Sequence, residues 1–304
     1  MRILVLGAGG VGGYFGGRLV EKGEDVTFLV RSRRKQQIKK NGLVIRSVNG
    51  DFSFTPKIIT KTDTVAPFDV VLFSTKAYHI EEAINDLKPF IGEKTVIIPL
   101  LNGIVHLSPL KQAFGSDKVI GGLCFIETTL NEDGDIVQTS VADRLVFGEI
   151  EQPDTDRIKQ IADTFSGTKA NFVLSDHIAQ DMYHKYLIIA VVSGVTTLMR
   201  APMGPIRESD GGQAFIQHLL EEITQIMKAS GSPIADNIVE KHMQTIEELS
   251  YDMKSSMLRD MEKGLSIEGE HLQGYLLKLA KEFGVDASLL KVVYQNLKVY
   301  EKML

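Results

Sequence analysis

The sequence predicts an α/β domain with a mostly parallel sheet, followed by an all-α domain. Three observations carry this. A short apolar run at the N-terminus leads into a crowd of glycines. Through about residue 176, β-rich runs then alternate with helical stretches. Beyond that point only helical periodicity remains.

The elements follow in order. Residues 2–6 (RILVL) read as a fully apolar strand, 11–22 as a helix and 24–30 as a second strand. A charged stretch covers 33–40. Residues 43–47 and 51–57 alternate as a hairpin does, with Asn49-Gly50 as the turn. Residues 68–74 form another apolar run, 80–90 and 104–114 are helical, and 95–99 is a strand. Further strands are expected at 118–129, 135–139 and 145–147. Helices are expected over 178–199, 211–229, 234–249, 265–283 and 287–302, punctuated by Ala201-Pro202-Met203-Gly204-Pro205 and Ser230-Gly231-Ser232-Pro233. The boundary between the domains is placed at 176/177.

Composition removes several classes of function. Lys+Arg 34 against Asp+Glu 39 gives a net charge of −5, which offers nothing to a nucleic-acid backbone. Cys124 is the only cysteine, so neither an internal disulfide nor a cysteine-based metal cluster can form. The seven histidines show no i, i+4 pairing, and no metal site is expected. The uncharged stretch 186–199 has fourteen residues, short of a membrane span. The expectation is a cytoplasmic protein, monomer or homodimer, acting on a small molecule without nucleic-acid or membrane partners.

Of 27 glycines, seven fall within the first seventeen residues, where an even spread would put one or two. Gly7-Ala8-Gly9-Gly10-Val11-Gly12 fits G-x-G-x-x-G between a strand and a helix, the fingerprint of a Rossmann-type dinucleotide site. Gly7 would allow the tight turn, Gly9 the approach of a pyrophosphate, and Gly12 close helix–sheet packing. The phosphates would sit on the amides at the positive end of the helix. Gly10 and Gly13 are expected to let backbone lie close to the cofactor, and Gly16 and Gly17 to thin the helix against the sheet. The alternative is a glycine-rich turn in an unrelated fold.

The end of the second strand selects the nucleotide. An NAD site would place Asp or Glu near Val30, but Arg31 stands next, Arg33 and Arg34 follow, and no acid comes before Asp51. Guanidinium groups suit a 2′-phosphate, so the expected cofactor is NADPH, held first by Arg31. A solvated helix start is the plain alternative for Arg33 and Arg34.

Four segments together resemble the ketopantoate reductase (2-dehydropantoate 2-reductase) family over nearly the full length. They are GAGGVGGYFGGRL from Gly7, Ser74-Thr75-Lys76-Ala77, Leu101-Asn102-Gly103, and Ser255-Ser256-Met257-Leu258-Arg259-Asp260 with Glu268 beyond. The resemblance implies reduction of a 2-oxo acid to its 2-hydroxy acid by NADPH, on a Rossmann domain joined to a helical one. It also implies that Lys76 lies near cofactor and substrate, that Ser256 binds the substrate carboxylate, and that Glu268 contacts the substrate or its network.

The residues themselves support parts of this. Lys76 and Asn102 each follow a strand at its carboxyl end, where ligands bind in open α/β sheets. The Asn102 amide can serve a nicotinamide carboxamide or a substrate hydroxyl. The alternatives are a loop lysine and a turn residue before Gly103. Lys185 begins an uncharged helix segment and can protonate the oxygen of a ketone as hydride arrives at its carbon. Its alternative is a lysine snorkelling at a helix edge. For Glu268 and Glu270 the alternative is a helix first turn capped by Ser266.

One departure bears on the substrate. Where the family often carries asparagines four and eight residues after the helix lysine, this chain has Ile189 and Ser193. Fewer amides leave other 2-oxo acids admissible, so the reaction type is read more firmly than ketopantoate itself. Two further readings are a reductase for another small ketone or imine, and a non-catalytic NADP(H) sensor.

Overall fold

The computed structural model describes residues 1–304. The chain forms two compact units, Met1–Leu101 with His106–Ile178, and Asn102–Val105 with Ala179–Leu304.

The first unit runs β1 (Arg2–Leu6), α1 (Gly10–Lys22), β2 (Asp25–Leu29), α2 (Ser32–Asn41), β3 (Leu43–Ser47), β4 (Phe52–Phe54), β5 (Lys57–Ile59), β6 (Phe68–Phe73), α3 (Ile80–Leu87) and β7 (Ile91–Pro99). It continues with α4 (Leu107–Phe114), β8 (Gly121–Leu130), β9 (Ile136–Gly148), α5 (Asp156–Phe165) and β10 (Asn171–Leu174). Five strands form an all-parallel sheet in the order β5-β2-β1-β6-β7. Its residues alternate between two cores. Ile3, Val5, Phe28, Val70, Leu72 and Ile98 face one side with α1, while Leu4, Leu6, Val71, Phe73 and Ile97 face the other with α3 and α4. Burial on both faces is why these strands read as unbroken apolar runs.

A second sheet pairs β10-β9-β3-β4, with β8 also against β9. It covers α1 from the other side, and Ile45, Ile136, Leu145 and Phe147 join Tyr14, Phe15 and Leu19 in one core. Helix α1 therefore lies between two sheets, and its glycines serve both. A Cβ on Gly12 would come 2.3 Å from the Gly7 carbonyl oxygen, and one on Gly16 2.7 Å from Val5. Toward the second sheet, a Cβ on Gly13 would come 2.4 Å from Ile136 and one on Gly17 2.5 Å from Ile45. Gly13 thus makes room for a strand rather than for a cofactor.

Several elements differ from the sequence reading, each for a local reason. The charged stretch becomes α2, with Ile38 as its one buried residue. The hairpin forms, with Gly50 at φ +104°, but its second strand ends at Phe54 and Lys57–Ile59 crosses to the first sheet beside β2. The two short strands expected over 135–147 are one, β9, because β8 pairs with it on both sides of a register shift. Helix α4 starts at Leu107, since Gly103 at φ +77° keeps the preceding residues out of a helix.

The second unit is helical: α6 (Ile178–Met199), α7 (Met203–Glu208), α8 (Gly212–Ala229), α9 (Ile238–Glu248), α10 (Ser256–Glu262), α11 (Tyr275–Phe283) and α12 (Ser288–Met303). The expected helix over 265–283 is interrupted. Residues up to Gly269 are irregular, Glu270–Gly274 form a π-helical turn, and only then does α11 begin. Helix α6 is long and apolar enough to cross a membrane, yet 67% of its most apolar window is buried in the protein, as in a core helix.

Two histidines, His242 buried and His184 half-buried, also brace α6. The His242 ring on α9 donates from Nε2 to the His184 carbonyl at 2.9 Å, and His184 Nε2 accepts from the Ala235 N–H at 3.0 Å. Burial lowers the pKa of both rings, that of His242 to about 4. A protonated His184 could not keep the Ala235 bond.

Two outcomes follow from this packing. Gly12→Ala should cost about 1–3 kcal/mol in urea denaturation by pushing α1 off its loop. Gly9→Ala, whose Cβ would meet nothing within 4 Å, should cost less than about 1 kcal/mol. Separately, the unfolded chain takes up a proton near pH 6.5 that the folded His242 ring refuses until about pH 4. Stability should therefore fall across that window, on the order of 2 kcal/mol once solvent access to the ring is allowed for. Denaturation midpoints measured at several pH values should show this slope flattened in His242→Gln.

Candidate functional site

In the first unit the site residues lie where strands β2, β1 and β6 end side by side. The Gly7 N–H donates to the Leu29 carbonyl at 3.3 Å and the Ser74 N–H to the Leu6 carbonyl at 3.0 Å, so three loops leave the sheet together. Gly7 has φ +96°, and a Cβ there would sit 2.1 Å from the Ser74 carbonyl oxygen. Only glycine fits this turn. Ala8 is buried, and Gly9 is the N-cap of α1. No side chain caps that helix and its first turn holds no acid. A Cβ on Gly9 would meet open space, whereas one on Gly10 would lie 2.7 Å from the Thr128 hydroxyl. Val11 and Gly12 complete the first turn. An uncapped helix N-terminus beside bare backbone is a geometry that takes an anion.

The polar residues around this loop are differently employed. Arg31 stands just past β2, and its guanidinium pairs with Glu82 of α3 at 2.6 Å, with both side chains about half exposed. Arg33 is exposed. Arg34 is no solvated helix start: its Nε donates to the Ala8 carbonyl at 3.1 Å and an Nη to the Gly134 carbonyl at 3.0 Å. It straps the glycine loop to the turn before β9, and burial lowers its pKa. Lys76 is half-buried at the end of β6, opening the short turn Ala77–His79. Beside it the buried Thr75 hydroxyl has no hydrogen-bond partner.

In the second unit three segments meet. Asn102 is half-buried in the loop Asn102–Val105, which clusters with the helices. A Cβ on its neighbour Gly103 would lie 3.0 Å from Leu272 and 3.7 Å from the Tyr186 ring. Tyr186 follows Lys185 on α6, and its hydroxyl donates to the Leu272 carbonyl at 2.5 Å. The Leu272 N–H in turn donates to the Glu268 carbonyl at 3.0 Å. The backbones carrying Asn102, Lys185 and Glu268 are thereby held together. Lys185 and Glu268 are 7% and 8% exposed, a depth at which charged side chains are rare unless paired.

Further along α6, Ser193 is buried and its hydroxyl is engaged twice. It donates to the Ile189 carbonyl at 2.6 Å and accepts from Gln273 Nε2 at 3.0 Å. Gln273 also donates to the Ala190 carbonyl at 2.8 Å, and its side-chain oxygen is buried without a partner. Ser255 caps α10 through the Leu258 N–H at 3.0 Å and bonds the Thr196 hydroxyl at 2.7 Å, while Ser256 is exposed on the first turn. Ser266 caps nothing and is exposed. Glu270 is structural, paired with Lys278 at 3.0 Å and bonded to the Tyr294 hydroxyl.

Sequence reading missed Thr75, Glu82, the strap made by Arg34, and Gln273. Thr75 belongs to the Ser74-Thr75-Lys76-Ala77 segment, whose place at a strand end is the signal for it. Nothing local marks the others, because each acts on a residue distant in the chain.

A sequence profile of ketopantoate reductase PanE/ApbA matches residues 3–152, and one of its C-terminal region matches residues 177–301. An uncharacterized oxidoreductase of Bacillus subtilis, YkpB, is 48% identical over 301 residues, covering 99% of each chain. A 2-dehydropantoate 2-reductase of Aquifex aeolicus is 27% identical, covering 99% of this chain and 97% of its own. The crystal structure of a 2-dehydropantoate 2-reductase from Geobacter metallireducens superposes with a TM-score of 0.89 at 26% identity, covering 98% of this chain and 99% of the other. Profile, relatives and fold agree, and the chain belongs to the ketopantoate reductase family of oxidoreductases.

Proposed function

We propose that the protein is an NADPH-dependent 2-oxo acid reductase that forms a 2-hydroxy acid, with ketopantoate as the first substrate to test. The observation that carries this is the pair of buried charged side chains, Lys185 and Glu268, whose backbones are joined through Tyr186 and Leu272. Two buried charged groups held together serve a reaction in which a negative charge develops. A dinucleotide sensor has no use for them.

The residues fit the cofactor. Gly7, Ala8, Gly9, Gly10, Val11 and Gly12 supply backbone and an uncapped helix end for the pyrophosphate, and the orphaned Thr75 hydroxyl lies in the next loop. Arg31 supplies charge for a 2′-phosphate, and Lys76 adds a cation at the end of β6. Bound there, the reduced nicotinamide supplies a hydride to the carbonyl carbon of the substrate.

The chain's own side chains do the rest. Lys185 gives the carbonyl oxygen its proton and stabilises the charge before it arrives. Asn102 offers donor and acceptor together, to the nicotinamide amide or to the substrate. Ser256, exposed at the start of α10, is assigned to the substrate carboxylate and Glu268 to the substrate's polar network. Ser193 is assigned to the substrate as an acceptor only, since its hydroxyl hydrogen already goes to the Ile189 carbonyl. With Ile189 apolar, the pocket admits 2-oxo acids that lack the hydroxyl of ketopantoate. The setting assigned is the cytoplasm, as a monomer or homodimer.

Absorbance of NADPH with ketopantoate and a panel of 2-oxo acids tests the reading. Turnover of at least one is expected, and tight NADPH binding without turnover of any would leave a sensor instead. Lys185→Ala should lower kcat about 10²- to 10⁴-fold with NADPH affinity within about twofold of wild type. Full turnover in that variant would remove Lys185 from the chemistry. Arg31→Ala should weaken NADPH about tenfold, read by quenching or enhancement of nicotinamide fluorescence.

A further inference from the structure

The carboxylate that the end of β2 lacks is brought there from elsewhere in the chain. No acid lies between Asp25 and Asp51, so β2 itself offers nothing to the hydroxyls of an unphosphorylated ribose. The first turn of α3 does. Strand β6 lies beside β1, and its end packs against Gly7, so α3 rises from the carboxyl edge that also carries Arg31. There Glu82 Oε2 meets an Nη of Arg31 at 2.6 Å. Both side chains are about half exposed, so solvent and ligand reach them and the ion pair is easily opened.

We infer that Glu82 is a specificity-determining residue that makes the site accept NADH as well as NADPH, with Arg31 and Glu82 as alternative partners for the adenosine ribose. This rests on the dinucleotide reading given above. A 2′-phosphate needs the guanidinium and is repelled by the carboxylate beside it. A ribose 2′-hydroxyl needs an acceptor, which Arg31 cannot be and Glu82 is. One carboxylate therefore acts in opposite directions on the two cofactors. It competes for Arg31 and opposes the phosphate charge with NADPH, and it receives a hydrogen bond from NADH. A side chain that merely fastened α3 to the loop after β2 would move both affinities the same way.

The test is a titration of the whole protein with NADPH and with NADH, for wild type, Glu82→Ala and Arg31→Ala. In Glu82→Ala the NADPH Kd should fall about fivefold and the NADH Kd should rise about fivefold. The gain for NADPH should shrink in high salt, because two exposed charges are being separated. Arg31→Ala should weaken NADPH while NADH changes little. If Arg31→Ala weakens NADPH but Glu82→Ala moves both cofactors together, or neither, the inference is overturned and the NADPH reading survives. If wild type binds neither cofactor, or Arg31→Ala leaves NADPH unchanged, the dinucleotide reading itself fails and takes this inference with it.

Discussion

Helix α1 is pressed between two sheets, and the molecule depends on how little room that leaves. Against the parallel sheet it has no space for a Cβ at Gly12 or Gly16, and against the second sheet none at Gly13 or Gly17. The close approach brings the start of the helix down onto Gly7, whose own missing side chain lets the end of β6 come in. Loops after β1, β2 and β6 are consequently forced to one edge. The uncapped start of the helix, Arg31 and Lys76 owe their neighbourhood to that packing. Glycine here acts through absent volume at least as much as through backbone freedom.

The helical unit solves a different problem. Its reactive candidates are charged and buried, and such groups must be held by a frame that does not yield. Tyr186, the residue after Lys185, reaches the turn that follows Glu268, and Gln273 fastens the same turn to Ala190 and Ser193. The π-helical turn Glu270–Gly274 is what lets Gln273 and the Leu272 carbonyl both point at α6. Its interrupted geometry was invisible as such in the sequence, which reads there as one continuous helix.

What the sequence disclosed, and what it hid, divides along the range of the interactions. The glycine fingerprint, the apolar strands and the hairpin turn at Gly50 are local patterns, and each appears where spacing alone had put it. Glu268 is reached through resemblance and Lys185 from its place at the head of an uncharged helix segment, and their burial is a property the sequence only suggests. The Arg31–Glu82 pair exists only once β2 and β6 flank β1 in the sheet, so the residues at the end of β2 give no sign of the carboxylate. Strand β9 reads in the sequence as two pieces, 135–139 and 145–147. Strand β8 pairs up to Asp143 and resumes at Gln138 beyond a register shift, so one strand spans the irregular stretch. Pattern reading fails where a partner strand, rather than the residues themselves, dictates the conformation.

That long strand has a consequence for how the chain is assembled. Strand β9 pairs with β8, β3 and β10, yet β3 leaves the ribosome long before it, with the whole of β4 to β8 between Ile45 and Ile136. During synthesis the hairpin of β3 and β4 must wait with one edge unpaired while the parallel sheet completes itself through β7. Helix α1 meets the second sheet through Ile45 and Phe54 during that interval, and Tyr14 and Phe15 lack the contacts that Asp143 and Phe172 later supply. The arrival of residues 136–148 joins β8 to that hairpin and closes the second sheet over Tyr14 and Phe15, and only β10 then remains to be added at its edge.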